Sequence, residues 1–152
     1  MKIETATAGD IPAIMEIERQ PGFDNLIGRF SKGEHLRQLH DGAFTYLIFK
    51  ENGHIGGLAI LSQSAPTEWR LNRIAVRTPG RGSGAAFLRL VLKRVFSDPS
   101  IEIIWLNVAA HNSAARHLYE TLGFRETGII LKAGRLPNGA TADLVRYEIG
   151  PA

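Results

Sequence analysis

Apolar positions recur along this chain with two periods, and together they predict seven strands and four helices. Alternating or continuous short apolar runs are typical of strands, and apolar residues three and four positions apart are typical of helices. Strands are predicted at 2–6, 43–50, 54–63, 68–76, 101–108, 124–132 and 142–149, and helices at 10–19, 31–39, 84–96 and 113–122. The order β-α-α-β-β-β-α-β-α-β-β indicates an α/β fold, a mixed sheet with helices on both faces. Because 101–108 is almost entirely apolar, we expect a central strand that is buried on both faces.

Two short polar motifs set the boundaries of elements. Glu51-Asn52-Gly53 joins two apolar runs, and Asn-Gly between such runs is a strong hairpin signal. Ser31, followed three residues later by Glu34, matches a capping box and predicts the start of a helix.

The composition is that of an ordinary globular domain. The chain has 152 residues, of which 44% are hydrophobic and 22% charged, so we expect a single domain over 1–152. It has no cysteine, which excludes disulfides and thiolate zinc sites and is compatible with a reducing compartment. Residues 1–5 lack the apolar core of a signal peptide, and no apolar run approaches the ~18 residues of a membrane span. We therefore expect a cytoplasmic protein with no membrane partner.

Charge and histidine spacing argue against two further classes of protein. The formal net charge is only +3, and no dense Lys/Arg block is interleaved with aromatic residues, so no nucleic-acid partner is predicted. The histidines at 35, 40, 54, 111 and 117 never have the i, i+4 spacing of a helical metal pair, so no metal site is predicted.

A glycine-rich segment, 76–86, lies between a predicted strand and a predicted helix and suggests a phosphate site. Glycines let the backbone approach an anion, and the start of a helix presents free N–H groups to it. A P-loop is excluded, because no Lys-Ser or Lys-Thr follows the glycines. Gly80-x-Gly82-x-x-Ala85 matches the dinucleotide fingerprint, but a hairpin precedes it and the next strand ends in Asn107 instead of a ribose-binding acid. A third pattern is Arg81-x-x-Gly84-x-Ala86.

A second motif follows about thirty residues later, with one predicted strand between. The segment 112–124, NSAARHLYETLGF, matches Asn-x-x-Ala-x-x-Leu-Tyr-x-x-x-Gly-Phe. Its Asn112, Ala115 and Tyr119 share one face of a helix, where they present an amide, a small gap and a phenol. With both motifs in this order, the chain resembles the GNAT family of acyl-CoA-dependent N-acyltransferases over about 68–132. The tail, with Gly123-Phe124 and Tyr147, also resembles the ribosomal-protein N-acetyltransferase branch.

The resemblance implies a fold, a co-substrate and a set of site residues. The fold is a mostly antiparallel seven-stranded sheet, splayed between strands 4 and 5, and the co-substrate is acetyl-CoA. Backbone groups of strand 4 would pair with pantetheine, the glycine-rich loop would hold the pyrophosphate, and Tyr119 would protonate the departing thiolate. The implied acetyl-CoA site comprises Ile74, Ala75, Val76, Arg81, Gly82, Ser83, Gly84, Ala85, Ala86, Asn112, Ala115 and Tyr119.

The general base has no clear candidate. Arg70 and Asn107 occupy the two positions where family members carry a carboxylate. Glu68 shares strand parity with Arg70 and is the first candidate, acting through water, and His111 is the second. An α-amine is roughly one-tenth to one-fifth free base at pH 7 and a lysine amine below about 0.1%, so a site without a strong base favours an α-amine or another low-pKa amine.

Several interpretations stay open from the sequence. The acceptor is expected to contact 20–39 and 133–141, where no motif identifies it. A homodimer is compatible with the resemblance, because dimers are common in the family. A non-catalytic acyl-CoA-binding module would keep the loop without needing Tyr119, and a dinucleotide-binding domain is the remaining alternative.

Overall fold

The protein is described by a computed structural model that covers residues 1–21 and 30–152, and its strands form one sheet. The strands are β1 (Ile3–Thr5), β2 (Phe44–Glu51), β3 (His54–Ala65), β4 (Glu68–Val76), β5 (Ile103–Ala109), β6 (Arg125–Arg135) and β7 (Thr141–Ile149). The helices are α1 (Ile11–Glu18), α2 (Lys32–His40), α3 (Ser83–Val95) and α4 (Ser113–Thr121), and a 3-10 turn precedes α1. The strand order is β1-β2-β3-β4-β5-β7-β6, with β4 and β5 parallel and every other pair antiparallel. The predicted order of elements is confirmed.

Both short motifs form the structures they predict. Asn52 and Gly53 have φ angles of 52° and 80°, and Glu51 lies opposite His54 in the β2–β3 hairpin. Two left-handed residues in a two-residue loop are typical of the type I′ turn that Asn-Gly favours. Before α2, the Ser31 hydroxyl accepts a hydrogen bond from the Glu34 amide at 3.2 Å, and the Glu34 carboxylate accepts one from the Ser31 amide at 3.0 Å.

Alternation along the central strands divides the apolar residues between two cores, one on each face of the sheet. Leu47 and Phe49 of β2 point to the face that α3 and α4 cover. Tyr46 and Ile48 point to the opposite face, which α1 and α2 cover. The prediction of helices on both faces is therefore confirmed.

The prediction that β5 is buried on both faces is wrong. The strand is central, but its burial alternates: Ile104 and Leu106 are buried, whereas Trp105 and Asn107 are only partly buried. Ile104 and Leu106 face the core under α3 and α4, whereas the core on the other face, which α1 and α2 cover, includes no described residue of β5. The local apolar run contains no signal for which face of the strand a helix covers.

The sheet is splayed between β4 and β5, as expected. The two strands pair only over three positions, the last of which joins Arg70 to Trp105. From there β4 continues to Val76 and β5 to Ala109 without pairing with each other. A strand edge of this kind keeps unpaired N–H and C=O groups that a ligand can use.

Strand β6 is longer than predicted and bends at its end. It continues past Lys132 to Arg135, through an irregularity in its pairing with β7. Lys132 has a φ of 52°, and its amide donates to the Asp143 carboxylate at 2.9 Å. At Gly134 a side chain would meet Leu144 at 2.8 Å, so the glycine permits close packing of β6 on β7 instead of ending the strand.

Candidate active site

The gap between β4 and β5 opens into two cavities that meet. The loop cavity, about 490 Å³ in volume, lies between the end of β4, the glycine-rich segment and α4. The arginine cavity, about 220 Å³, lies between the middle of β4, β5 and the end of β6. Four residues line both cavities: Ile74, Asn112, Ala115 and Tyr119. Among the described residues, these four form the junction at which the two cavities adjoin.

The glycine-rich segment has the geometry of an anion site. Gly80 and Gly82 have φ angles of 84° and 79°, which favour glycine, and a Cβ on either would meet nothing within 4 Å. Helix α3 starts at Gly82 without a side-chain cap, and Ala86 donates its amide to the Gly82 carbonyl at 3.2 Å. The amides that precede Ala86 have no partner within the helix, so an anion seated at its N-terminus would be stabilised.

Arg81 is exposed on the same segment. No carboxylate in the described parts of the chain forms an ion pair with it. It does not line either cavity, in contrast to Gly82, Gly84 and Ala85. Its predicted phosphate contact therefore requires the side chain to reach in from the rim.

The free edge of β4 presents backbone groups at alternate residues. The Arg77 amide donates to the Gly56 carbonyl of β3 at 2.7 Å, so residues of the same parity, including Ala75, direct their backbone groups to β3. Ile74 and Val76 consequently direct theirs into the gap. The Val76 carbonyl accepts a hydrogen bond from the Gln20 side chain at 3.1 Å. Of the three predicted residues, Ile74 and Val76 thus offer amides, while Ala75 contributes to the cavity wall.

The start of α4 supplies a polar group and a small one. Asn112 is 8% exposed, and its side-chain oxygen accepts from the Ala115 amide at 3.2 Å, which confirms that it caps the helix. Its NH₂ group stays available to a ligand, because the cap uses only the oxygen. Ala115 lines both cavities with only a methyl group.

Tyr119 lies at the junction and is 7% exposed. Its ring packs beside Phe124 and Tyr147, at centroid distances of 5.5 and 6.0 Å. Among the described residues none hydrogen-bonds its hydroxyl group. Burial raises the pKa of Tyr119 above its ordinary value of 10, so the phenol stays protonated at neutral pH. A protonated phenol without a protein partner suits the role of proton donor.

The arginine cavity is lined by cations and amides. Arg70, Arg73 and Arg135 contribute to its wall, together with Asn72 and Asn107, and no carboxylate of the described residues does. The sequence had indicated only that positions 70 and 107 lack the family carboxylates. Arg73 and Arg135 were missed as site residues, because nothing local distinguishes them from surface arginines.

Arg73 belongs to a buried polar network behind this cavity. It forms an ion pair with Glu18 at the end of α1, and Glu18 contacts the His35 Nε2 atom at 2.5 Å. The Nδ1 atom of His35 lies 2.8 Å from the Tyr46 hydroxyl, which donates to Gln38 at 3.1 Å. Glu18 and His35 are both fully buried, so the network ties α1 and α2 to the sheet beside the cavity.

Neither predicted base lines either of the two cavities. Glu68 lies opposite Ile103, where β4 and β5 are still paired, and it lines neither cavity. His111 is exposed before the Asn112 cap and also lies outside both linings. The acceptor region predicted at 133–141 does contribute, since Gly134 and Arg135 line the arginine cavity. Of the other region, 22–29 lies outside the described residues.

Two further structural features are absent from the described residues. Within 1–21 and 30–152, no group of three His, Cys, Asp or Glu side chains is arranged to hold a metal ion. No helix in that part of the chain has the length and apolar character needed to span a membrane.

Comparison with known proteins assigns this arrangement to a family. The model of the acetyltransferase (GNAT) family matches residues 11–124, and the chain belongs to that family. It is accordingly an acyl-CoA-dependent N-acetyltransferase. The matched region includes both the glycine-rich segment and Tyr119.

Solved structures share the whole fold at low sequence identity. A ribosomal-protein-alanine N-acetyltransferase from Brucella melitensis is 20% identical, with a TM-score of 0.80 and coverage of 99% of this chain and 100% of that one. A chimera of the Vibrio cholerae spermidine N-acetyltransferase is 22% identical, with a TM-score of 0.82 and coverage of 99% and 96%. The Salmonella typhimurium protein yncA, solved with its cofactor acetyl-CoA, is 19% identical, with a TM-score of 0.79 and coverage of 99% and 93%. At these identities the likeness shows the fold alone.

Proposed function

We propose that this enzyme transfers the acetyl group of acetyl-CoA to an α-amine, or to another small-molecule amine of low pKa, by direct attack in a ternary complex. The observation that carries the proposal is the junction of the two cavities. The loop cavity has the features of an acetyl-CoA site, and the arginine cavity adjoins it beside Tyr119 and its three neighbours. Donor and acceptor would therefore meet at that point without a covalent enzyme intermediate.

On the donor side, the chain offers three kinds of group to acetyl-CoA. The amides of 83–85 and the side chain of Arg81 would bind the pyrophosphate. The open space beside Gly80 and Gly82 leaves room for it. The amides of Ile74 and Val76 would pair with pantetheine as an added strand does, and one of them would polarise the thioester carbonyl. The NH₂ group of Asn112 would donate to pantetheine.

On the reaction side, Tyr119 supplies the proton that balances the transfer. The neutral amine attacks the thioester carbonyl carbon, so that a C–N bond forms and the C–S bond breaks. Tyr119 donates its proton to the departing sulfur, and solvent takes the proton that the nitrogen releases and returns one to the phenolate. Because no carboxylate of the described residues lines the arginine cavity, an amine that is already partly neutral at pH 7 is the better acceptor.

The test is CoA release with a panel of amines, followed by initial-rate kinetics. Direct attack predicts double-reciprocal lines that intersect when both substrates are varied. Parallel lines would show a covalent acetyl-enzyme and refute this mechanism. Among matched peptides, an α-amine is expected to react faster than a lysine ε-amine, and a clear preference for lysine would refute the acceptor assignment.

The acetyl-CoA site has a matched pair of variants of its own. Arg81→Gln is expected to raise the KM for acetyl-CoA and to weaken its dependence on salt, because a phosphate contact is lost. Arg89→Gln, an exposed arginine on α3 outside both cavities, is the control. Equal effects of the two variants would contradict the pyrophosphate role of Arg81.

A further inference from the structure

We infer that the acceptor is a small amine that carries a carboxylate beside its amino group, as an α-amino acid does, and that Arg70 binds this carboxylate while Asn107 orients the amine. This inference rests on the proposed function and names the substrate class of the same site. It follows from the charge, the unpartnered atoms and the size of the arginine cavity.

The first observation is the charge balance of the cavity. Arg73 is neutralised by Glu18, but no described carboxylate pairs with Arg70 or Arg135. The wall therefore carries positive charge in excess. A polyamine would meet repulsion there, whereas an anionic group would be attracted.

The second observation is that Arg70 is held in place by its surroundings. Its guanidinium carbon lies 4.9 Å from the centroid of the Trp105 ring, and the guanidinium carbon of Arg146 lies 4.1 Å from the same centroid. The Trp105 ring is fixed in turn, because its N–H donates to the Ser64 hydroxyl at 2.9 Å. Of the two arginines beside this ring, Arg146 pairs with Glu148 at 3.3 Å, whereas Arg70 has no carboxylate partner among the described residues. Stacking keeps the planar fork of Arg70 oriented for a carboxylate.

The third observation concerns buried side-chain polar atoms without partners: of three among the described residues, two belong to residues that line the arginine cavity. The Nε–H donor of Arg70 and the side-chain oxygen of Asn107 are both buried, and neither has a hydrogen-bond partner among the described residues. Buried polar atoms are rarely left unpaired, so these two point to a ligand that supplies an acceptor and a donor. A carboxylate accepts from Arg70, and an amino group donates to Asn107. An α-amino acid brings both groups within a few bonds.

The fourth observation is size. The cavity of about 220 Å³ is smaller than the roughly 300–1,000 Å³ of typical ligand pockets. It suits a molecule of a few heavy atoms beside the junction with the loop cavity.

The same charges help to prepare the amine for attack. The ammonium group of a free amino acid is more basic than a peptide α-amine, because a carboxylate lies beside it. Pairing of that carboxylate with Arg70, together with the charge of Arg135, lowers the pKa of the bound ammonium group and increases its neutral fraction. The arginines that would bind the carboxylate would thus also favour the neutral, reactive form of the amine, which a general base would otherwise produce. A carboxylate at position 70 would have the opposite effect on both steps.

The inference is tested with acceptors that differ only in the carboxylate. We expect kcat/KM to be about tenfold or more higher for alanine than for ethylamine, and likewise for ornithine than for putrescine. A difference of this size corresponds to the loss of one charged hydrogen bond. Arg70→Gln should remove this preference by lowering the rates with the acids alone, and Arg70→Lys should restore part of it. Arg89→Gln, exposed on α3, is the matched control and should retain it. Equal rates for acids and decarboxylated amines, or equal losses for both in Arg70→Gln, would overturn the inference.

Calorimetry separates this inference from the proposed function. Alanine and ethylamine are titrated into the protein loaded with CoA, which binds acceptors without turnover. If alanine binds to the wild type but not to Arg70→Gln, the anionic subsite is supported. That result would stand even if no amine were acetylated, and the proposed function alone would then fail. Absence of alanine binding, or equal binding of ethylamine, would overturn the subsite while acetylation of other amines could still uphold the function.

Discussion

Replacing Tyr119 with phenylalanine removes one oxygen atom from the junction of the two cavities and leaves the ring in place. The ring packs beside Phe124 and Tyr147, and phenylalanine keeps those contacts. The hydroxyl group has no hydrogen-bond partner among the described residues, so its loss breaks no contact within them. We therefore expect the free energy of unfolding to change by no more than about 0.5 kcal/mol.

The effect on turnover should be much larger. General acid catalysis contributes about 10²–10⁴-fold, which corresponds to roughly 3–5 kcal/mol of activation free energy. The KM for acetyl-CoA should change little, since the lost proton transfer acts on the departing thiolate. Burial raises the pKa of Tyr119 above 10, so the group stays protonated throughout ordinary assay conditions. The wild type should accordingly show no loss of kcat from this residue between pH 7 and about pH 10, its ordinary pKa.

A second tyrosine provides a control with the opposite expectation. Tyr46 is also buried, but its hydroxyl contacts His35 at 2.8 Å and Gln38 at 3.1 Å. Tyr46→Phe should lower the free energy of unfolding by about 1–3 kcal/mol, because a buried imidazole nitrogen loses its partner, and should leave kcat close to the wild-type value. The assays are thiol release at saturating acetyl-CoA and urea unfolding of each variant. If Tyr119→Phe retained kcat within about threefold, which is under 1 kcal/mol, Tyr119 would not be the acid.

Two further predictions concern stability. Gly57→Ala should lower the free energy of unfolding by about 1–3 kcal/mol, because its Cβ would meet the Phe49 ring at 2.6 Å and a backbone carbonyl at 2.9 Å. Gly128→Ala is the control and should be neutral, because its Cβ would meet nothing within 4 Å. Equal changes in the two variants would refute the packing argument. Glu18→Gln should cost about 3–5 kcal/mol in urea unfolding, because the buried cation beside it loses its counter-charge. Glu16, also on α1, pairs with Arg77, and their side chains are 69% and 34% exposed. Glu16→Gln should therefore lower the free energy of unfolding by under about 1 kcal/mol. A similar loss in both variants would contradict the role of burial.

The elements of the fold were predictable because their signals are local. The Asn52-Gly53 turn and the Ser31 cap are each specified within four residues, and both form as expected. The error at β5 has a physical origin in the helices that cover the sheet. Burial of Trp105 depends on whether a helix packs on its face of β5, and no residue of β5 carries that information.

The extension of β6 illustrates the same limit. Gly134 was interpreted as part of a connecting loop, since glycine commonly ends a strand. Its actual role is to let β6 approach Leu144, a contact of β7 that the local sequence does not show. Arg135, which then lies at the wall of the arginine cavity, was therefore assigned only to a region and not to a role.

The two halves of the site differ in how far sequence could predict them, and the difference follows from what each half uses for binding. The proposed donor half would use backbone amides at Gly82 and along β4, and backbone geometry needs particular residues at particular spacings, so it leaves a motif. The proposed acceptor half would use side chains that the fold brings together from β4, β5 and β6, and no spacing along the chain joins Arg70 to Asn107. A shared donor chemistry with a separately assembled acceptor pocket is thus the expected outcome of this fold. It also explains why structures at about 20% identity can act on acceptors as different as a ribosomal protein and spermidine.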